Sequence, residues 1–195
     1  MTTSTLAARK PLVLADLVPG ARLRDVALVV GGAAFVGLAA QLSVPVPGTP
    51  VPVTAQTLAV LLSCAALGTV RGVASMLLYL VAGVAGVPWF ADHHSGFAMP
   101  SFGYVAGYVL AAAAVGALAS RGWDRTPLRT AATMVVGNLV IYAAGVTWLA
   151  GAVHTGLAQA VVLGVLPFLV GDAIKIVVAM GLLPAAWKLC GRRRA

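Results

Sequence analysis

Apolar residues run along this chain in long stretches that polar residues interrupt only briefly. Six stretches are apolar enough to cross a membrane as helices, and they cover residues 26–43, 54–68, 72–86, 101–120, 128–149 and 158–187. A helix needs about 20 mostly apolar residues to span the hydrocarbon core of a bilayer. The pattern predicts an all-α integral membrane protein with six transmembrane helices.

Helix-breaking residues mark the connections between these stretches. The connection over residues 44–53 contains four prolines, which exclude a helix there. The connection over residues 87–100 holds two prolines, a glycine and the polar run Asp92-His93-His94. Adjacent histidines in a loop are usually solvated, so we predict no metal site. The sixth stretch contains Pro167 and Pro184 and is predicted as one long helix.

The composition agrees with a protein surrounded by lipid. Of the 195 residues, 61% are hydrophobic and only 9% are charged, whereas a soluble domain carries about a quarter charged residues. The net charge of +8 comes from scattered basic residues, which excludes a nucleic-acid-binding face. Cys64 and Cys190 lie far apart in or beside apolar stretches, so neither a disulfide nor a metal site is expected.

The positions of the basic residues predict the orientation of the helices. Twelve of the 13 Lys and Arg residues fall before the first stretch, in alternate connections or at the edge of one, or after the last stretch. Lys and Arg accumulate in cytoplasmic loops, so both termini are expected in the cytoplasm. The predicted organisation is a cytoplasmic segment over residues 1–25, a six-helix substrate-binding domain over 26–190, and a basic cytoplasmic tail over 191–195.

The remaining basic residue, Lys175, lies in the middle of the sixth stretch, three residues after Asp172. This spacing puts both side chains on one face of a helix. A charged residue at mid-membrane depth costs at least about 2.5–3.5 kcal/mol, so a ligand-binding role is expected. A purely structural ion pair, or a lysine that extends its ammonium group to the membrane surface, is the alternative.

Other polar residues within the apolar stretches predict a pocket that opens to the exterior. Its candidate ligand-binding residues are Gln56, Ser101, Tyr104, Asn138 and Tyr142. Tyr104 is equally compatible with a place in the interfacial aromatic belt. One carboxylate, one ammonium group, amides and aromatic rings suit a small ligand that has a carboxylate and a hydrogen-bonding heterocycle.

The first stretch is rich in small residues, including Ala33 and Gly37 at a spacing of four. Such spacing lets a second helix approach closely. The second helix could belong to a partner protein or to this chain. The sequence has no phosphate-binding loop, so the chain cannot itself hydrolyse ATP to drive transport.

Several runs of residues in this chain resemble those of a known protein family. The run QLSVPVPGTPVPVTAQT over residues 41–57 resembles the first loop of BioY proteins, the biotin-specific substrate-binding components (S components) of energy-coupling factor (ECF) transporters. Further similar runs are LYLVAGVAGVPWF at 78–90, PSFGY at 100–104, residues 138–148 with their glycine at 145, and LPFLVGDAIK at 166–175.

The resemblance implies a six-helix S-component bundle in a bacterial cell membrane, with biotin bound near the exterior side. Asp172 and Lys175 would bind the polar ends of biotin. Residues around Ser101, Gly103 and Tyr104, with Asn138 or Tyr142, would complete the pocket. Ala33 and Gly37 would dock on the transmembrane coupling subunit, and two separate ATPase subunits would supply the energy. No cofactor is expected.

Two other classes of function remain open. A secondary transporter that acts alone would be expected to show inverted repeats, and none is visible. An intramembrane enzyme needs several acidic, basic or metal-binding groups at membrane depth, whereas the six stretches contain one carboxylate and no histidine. A component for another vitamin, such as thiamine or riboflavin, would share the same physical features and differ only in its motifs.

Overall fold

A computed structural model describes residues 13–18 and 22–192, without the side chains of the last two. Arg9, Lys10, Arg193 and Arg194, which belong to the predicted terminal segments, lie outside the described residues. The helices are α1 (Arg22–Ala40), α2 (Gln56–Val84), α3 (Phe102–Ser120), α4 (Pro127–Ala152), α5 (Leu157–Gly164) and α6 (Leu169–Arg192). Short 3₁₀ turns cover Leu14–Leu17, Ala91–His93 and Leu166–Phe168, and two short strands are β1 (Ser43–Val44) and β2 (Val53–Thr54).

The described part of the chain contains five helical stretches that are long and apolar enough to cross a membrane. Four of them are α1, α2, α3 and α4, and the fifth runs from Leu157 to Cys190. The prediction of an all-helical membrane protein is therefore confirmed, and the chain is a multi-pass protein of the cell membrane. The first helix begins at Arg22, four residues before the predicted start.

Helix α2 contains both the second and the third predicted stretch, and the chain reverses direction within it. Gly68 has φ +77° and ψ −177°, a backbone conformation essentially restricted to glycine. The Gln56 amide nitrogen lies 2.7 Å from the Tyr79 hydroxyl, although 23 residues of straight helix would separate them by about 34 Å. The two halves of α2 thus pack against each other in antiparallel fashion.

The sixth predicted stretch is not one continuous helix, which corrects the prediction. Helix α5 ends at Gly164, a 3₁₀ turn follows over Leu166–Phe168, and α6 begins at Leu169. Pro167 lies in this break, where its missing N–H group leaves no helical hydrogen bond unmade. Asp172 and Lys175 therefore lie in the first two turns of α6 and not at the middle of a long helix.

The proline-rich connection after α1 returns the chain to the bundle through a short hairpin. Strands β1 and β2 pair in antiparallel fashion, with Ser43 opposite Thr54 and Val44 opposite Val53. The Ala55 N–H then donates to the Leu42 carbonyl oxygen at 3.1 Å. These bonds hold the first residue of α2, Gln56, beside the end of α1.

An ion-pair cluster holds the opposite end of the bundle together. The Arg71 guanidinium donates to Asp16 at 2.7 Å and to Asp25 at 3.0 Å. Val13, next to the first 3₁₀ turn, packs over the backbone of Gly68. The cluster joins the N-terminal turn and α1 to the point where α2 reverses.

The end of α6 is attached to the connection between α3 and α4. The Trp187 indole N–H donates to the buried Asp124 carboxylate at 2.6 Å, and the Arg125 guanidinium lies 4.6 Å from the Trp187 ring centre. Burial raises the pKa of the Asp124 carboxyl, while the bond from Trp187 opposes that shift.

Candidate functional site

The predicted ligand-binding side chains meet in one pocket at the end of the bundle that carries the β1–β2 hairpin. The empty space between its lining atoms, counted together with the open mouth, is about 600 Å³. Seven of the eight residues predicted to bind ligand line it, namely Gln56, Ser101, Tyr104, Asn138, Tyr142, Asp172 and Lys175. Their role in binding a ligand stays a prediction.

Asp172 and Lys175 form an ion pair in the wall of this pocket, with 3.1 Å between the Lys175 Nζ and the Asp172 Oδ1. The Tyr142 hydroxyl donates to the other carboxylate oxygen, and the Lys175 Nζ also donates to the Thr57 Oγ1 at 2.8 Å. An ammonium group has three N–H donors. Among the described residues, the bonds from Lys175 to Asp172 and Thr57 use two of these donors, which leaves one donor for a ligand.

Aromatic rings form the apolar part of the pocket. The Tyr104 ring lies 6.5 Å from that of Tyr142 and 6.4 Å from that of Phe168, measured between ring centres. The Tyr104 hydroxyl donates to the Gly164 carbonyl oxygen at 2.8 Å. Because this bond uses its one hydrogen, Tyr104 contributes its ring to the pocket. A methyl group at Gly145 would overlap that ring, so glycine is needed there for the close approach.

Gln56 belongs to a hydrogen-bonded chain that runs behind the pocket. Its amide N–H donates to the Tyr79 hydroxyl, which donates to the Trp89 carbonyl oxygen at 3.0 Å. The Trp89 indole N–H donates back to the Tyr79 carbonyl oxygen at 3.0 Å. Gln41, near the end of α1, donates to the carbonyl oxygens of Trp89 and Phe90. Phe90 lines the pocket, so this chain of bonds fixes one of its walls.

Gly103 does not line the pocket. It faces α4, where a methyl group would overlap the Trp148 side chain and lie 2.7 Å from the Ala144 carbonyl oxygen. Its position therefore allows α3 and α4 to approach closely. The Trp148 indole N–H donates to the Met99 carbonyl oxygen at 3.0 Å, which fixes the loop beside the pocket.

The two residues predicted to dock on a partner, Ala33 and Gly37, are buried within this chain. A methyl group at Gly37 would lie 3.3 Å from the Trp89 ring. Gly37 thus contacts a loop residue of the same chain, while α1 as a whole packs against α2. The exposed face of α1 carries Ala34, Phe35 and Leu38 instead.

Several pocket residues were not predicted. Thr57, Tyr108, Phe90, Met99 and Phe168 all line the pocket. Tyr108 lies one helical turn after Tyr104, and Thr57 lies directly after Gln56. Their positions next to predicted site residues could therefore have identified both as pocket residues. Phe90, Met99 and Phe168 are apolar residues of irregular segments, and their composition gives no sign of a site.

Comparison with known proteins identifies the family. A sequence model of the BioY family matches residues 8–192, almost the whole chain. The chain belongs to the BioY family. Its relatives include a probable biotin transporter BioY of Pyrococcus horikoshii, 36% identical over 159 residues that cover 82% of this chain and 93% of the relative. The biotin transporter BioY of Thermotoga maritima is 35% identical over 149 residues, or 75% of this chain and 85% of the relative.

A solved structure shares the fold of this BioY chain. It is the S-component for biotin from an ECF-type ABC transporter, determined at 2.1 Å. The match has a TM-score of 0.74 and 20% sequence identity, and it covers 86% of this chain and 92% of that one. The predicted S-component fold is confirmed at this level.

Proposed function

We propose that this BioY chain binds biotin in the pocket between α2, α3, α4 and α6 and serves as the substrate-binding component of a vitamin uptake transporter. The observation that carries the proposal is the Asp172–Lys175 pair in the wall of the pocket. Its ammonium group has a donor left for the biotin carboxylate, and the aromatic wall suits the apolar ring and chain of biotin. The names of the relatives support biotin over another vitamin.

We place the mouth of the pocket at the exterior side and both termini in the cytoplasm, with six membrane crossings. The two antiparallel halves of α2 supply the second and third crossings. The distribution of basic residues supports this orientation. In a Cys190→Ser background, a membrane-impermeant thiol reagent should label His154→Cys but not Thr126→Cys in intact cells. The reverse labelling would refute the orientation.

A coupling subunit and two ATPase subunits complete the proposed transporter, since the S component of the matched fold comes from an ECF-type ABC transporter. The exposed face of α1, with Ala34, Phe35 and Leu38, is the surface of that helix open to such a subunit. The substitution Ala34→Trp should reduce copurification with a coupling subunit without changing biotin affinity. Unchanged copurification would show that the coupling subunit docks on another surface of the chain.

The experiment that tests the function is a calorimetric titration of the purified full-length chain with biotin in detergent. We expect saturation at one biotin per chain. Titrations with thiamine and riboflavin, which lack a carboxylate, are the matched controls and should give no heat of binding. If biotin gives none either, the proposed function is wrong.

A further inference from the structure

We propose that Tyr79, which lies outside the pocket, is a positioning residue that orients the Gln56 amide and so makes its carbonyl oxygen a hydrogen-bond acceptor for the ligand. This orientation selects an N–H group of the ligand at that point of the pocket. The proposal rests on the proposed biotin-binding function.

The orientation follows from counting hydrogens. A phenol has one hydrogen to donate, and Tyr79 donates it to the Trp89 carbonyl oxygen, which can only accept. The Tyr79 oxygen can then only accept a further bond, and the group that faces it at 2.7 Å is the Gln56 amide. The NH₂ end of Gln56 must therefore face Tyr79, because the carbonyl end would leave two acceptors in contact. The carbonyl oxygen is the acceptor that Gln56 offers to a ligand.

Tyr79 cannot readily give up this role, since its surroundings hold it in place. Its side chain is fully buried, and its ring lies 5.0 Å from the Trp89 ring and 5.2 Å from the Phe90 ring, between centres. The Trp89 indole N–H bonds back to the Tyr79 carbonyl oxygen. If the Gln56 amide turned around, the Tyr79 hydroxyl would have to donate to Gln56 and give up its bond to the Trp89 carbonyl oxygen, so one buried hydrogen bond would be lost.

The fixed amide determines how biotin lies in the pocket. A carboxylate next to the Gln56 oxygen would bring acceptors together, so the carboxylate belongs beside Lys175, the cation that lines the pocket. The ureido ring of biotin, which carries two N–H groups, then lies beside Gln56. A site built to bond an N–H group rejects an analogue that lacks it, because its acceptor is left unpaired.

The test compares biotin with its two cyclic carbamate analogues, in which a ring oxygen replaces one or the other ureido N–H group. The variants are Tyr79→Phe and, as a control, Ser120→Ala, which removes a hydroxyl bonded within α3 to the Gly116 carbonyl oxygen. We expect the wild-type protein and the control to prefer biotin over one of the analogues by about 100-fold. In Tyr79→Phe the Gln56 amide is free to turn, so this preference should fall by about tenfold.

A merely structural role of Tyr79 would weaken biotin and both analogues equally, and that result would overturn the proposal. The same holds if wild-type protein binds biotin and both analogues with equal affinity. If wild-type protein binds no biotin, that result contradicts the proposed function and does not bear on the orientation of Gln56. The variant Gln56→Leu gives a test that leaves Tyr79 unchanged. Gln56→Leu should lower the affinity for biotin and leave the affinity for the disfavoured analogue unchanged. Equal losses of affinity for biotin and for this analogue would also overturn the proposal.

Discussion

The ion pair between Asp172 and Lys175 can be tested by removing first one charge and then both. In Lys175→Met the Asp172 carboxylate keeps only the bond from Tyr142 among the described residues. In the double variant Asp172→Asn/Lys175→Met no charge remains, and the asparagine oxygen can still accept from Tyr142. The two variants separate the role of the pair in folding from its role in binding.

The structure sets the size of each effect. At the observed 3.1 Å the attraction is about 5 kcal/mol for an effective dielectric constant near 20. Part of it offsets desolvation, since the Asp172 and Lys175 side chains are only 8% and 17% exposed. Removing one partner of such a pair costs about 3–5 kcal/mol, whereas replacing both by neutral groups is often close to neutral. The single variant should therefore be clearly destabilised and the double variant should recover most of the loss.

Biotin affinity should not recover in the double variant. A hydrogen bond to a charged group contributes about 1.5–3 kcal/mol, so loss of the Lys175 donor should raise the Kd by about 10- to 150-fold. Thermal unfolding and calorimetric titration in one detergent measure both quantities, with Thr147→Val on the exposed side of α4 as the control. Wild-type biotin affinity in the double variant would show that the pair serves folding alone and that Lys175 donates no bond to biotin.

Three further substitutions test other parts of the structure. Gly68→Ala forces a side chain into a backbone conformation with φ +77° and should lower the free energy of unfolding by about 1–3 kcal/mol. The control Gly181→Ala has open space around the added methyl group and should not lower that free energy. Equal thermal midpoints of the two variants would contradict the reversal of the chain at Gly68. Gly145→Ala should displace the Tyr104 ring and weaken biotin binding in a titration, and unchanged affinity would exclude that ring from the site. Because burial raises the pKa of Asp124 above 3.8, this group favours the folded state at low pH and loses that contribution as the pH rises through its raised pKa. The thermal midpoint of wild type relative to Asp124→Asn should therefore fall as the pH rises from about 4 towards neutrality, and a constant difference would contradict the raised pKa.

Much of the site could be predicted from the sequence because charge is so rare in this chain. Lys175 stands out as the basic residue that lies outside the terminal and connecting segments, and Asp172 stands one helical turn before it. Their contact in the structure follows from helical spacing alone. The bond from Lys175 to Thr57 could not be predicted, because it joins residues 118 positions apart and depends on how α6 packs against α2.

The ends of the helices and the residues that pack against them were harder to predict than the helices themselves. Hydropathy counts apolar residues and does not report backbone dihedral angles, so residues 158–187 read as one helix although the chain breaks before Leu169. Small residues at a spacing of four predict a close neighbour for α1 but not its identity. The neighbour of Gly37 is Trp89, a loop residue of the same chain.

The helix breaks themselves are informative about where the site lies. Irregular backbone at membrane depth is tolerated where it is buried in protein or lines a cavity, because its polar groups must find partners there. Three irregular segments, over residues 43–54, 85–101 and 165–168, contribute Pro52, Phe90 and Phe168 to the same pocket. Pro167 lies at one of these breaks, next to the pocket residue Phe168, whereas Pro184 lies within α6 and marks no break. Together with the rare charges of Asp172 and Lys175, the breaks support a biotin site at this one end of the bundle, as we propose.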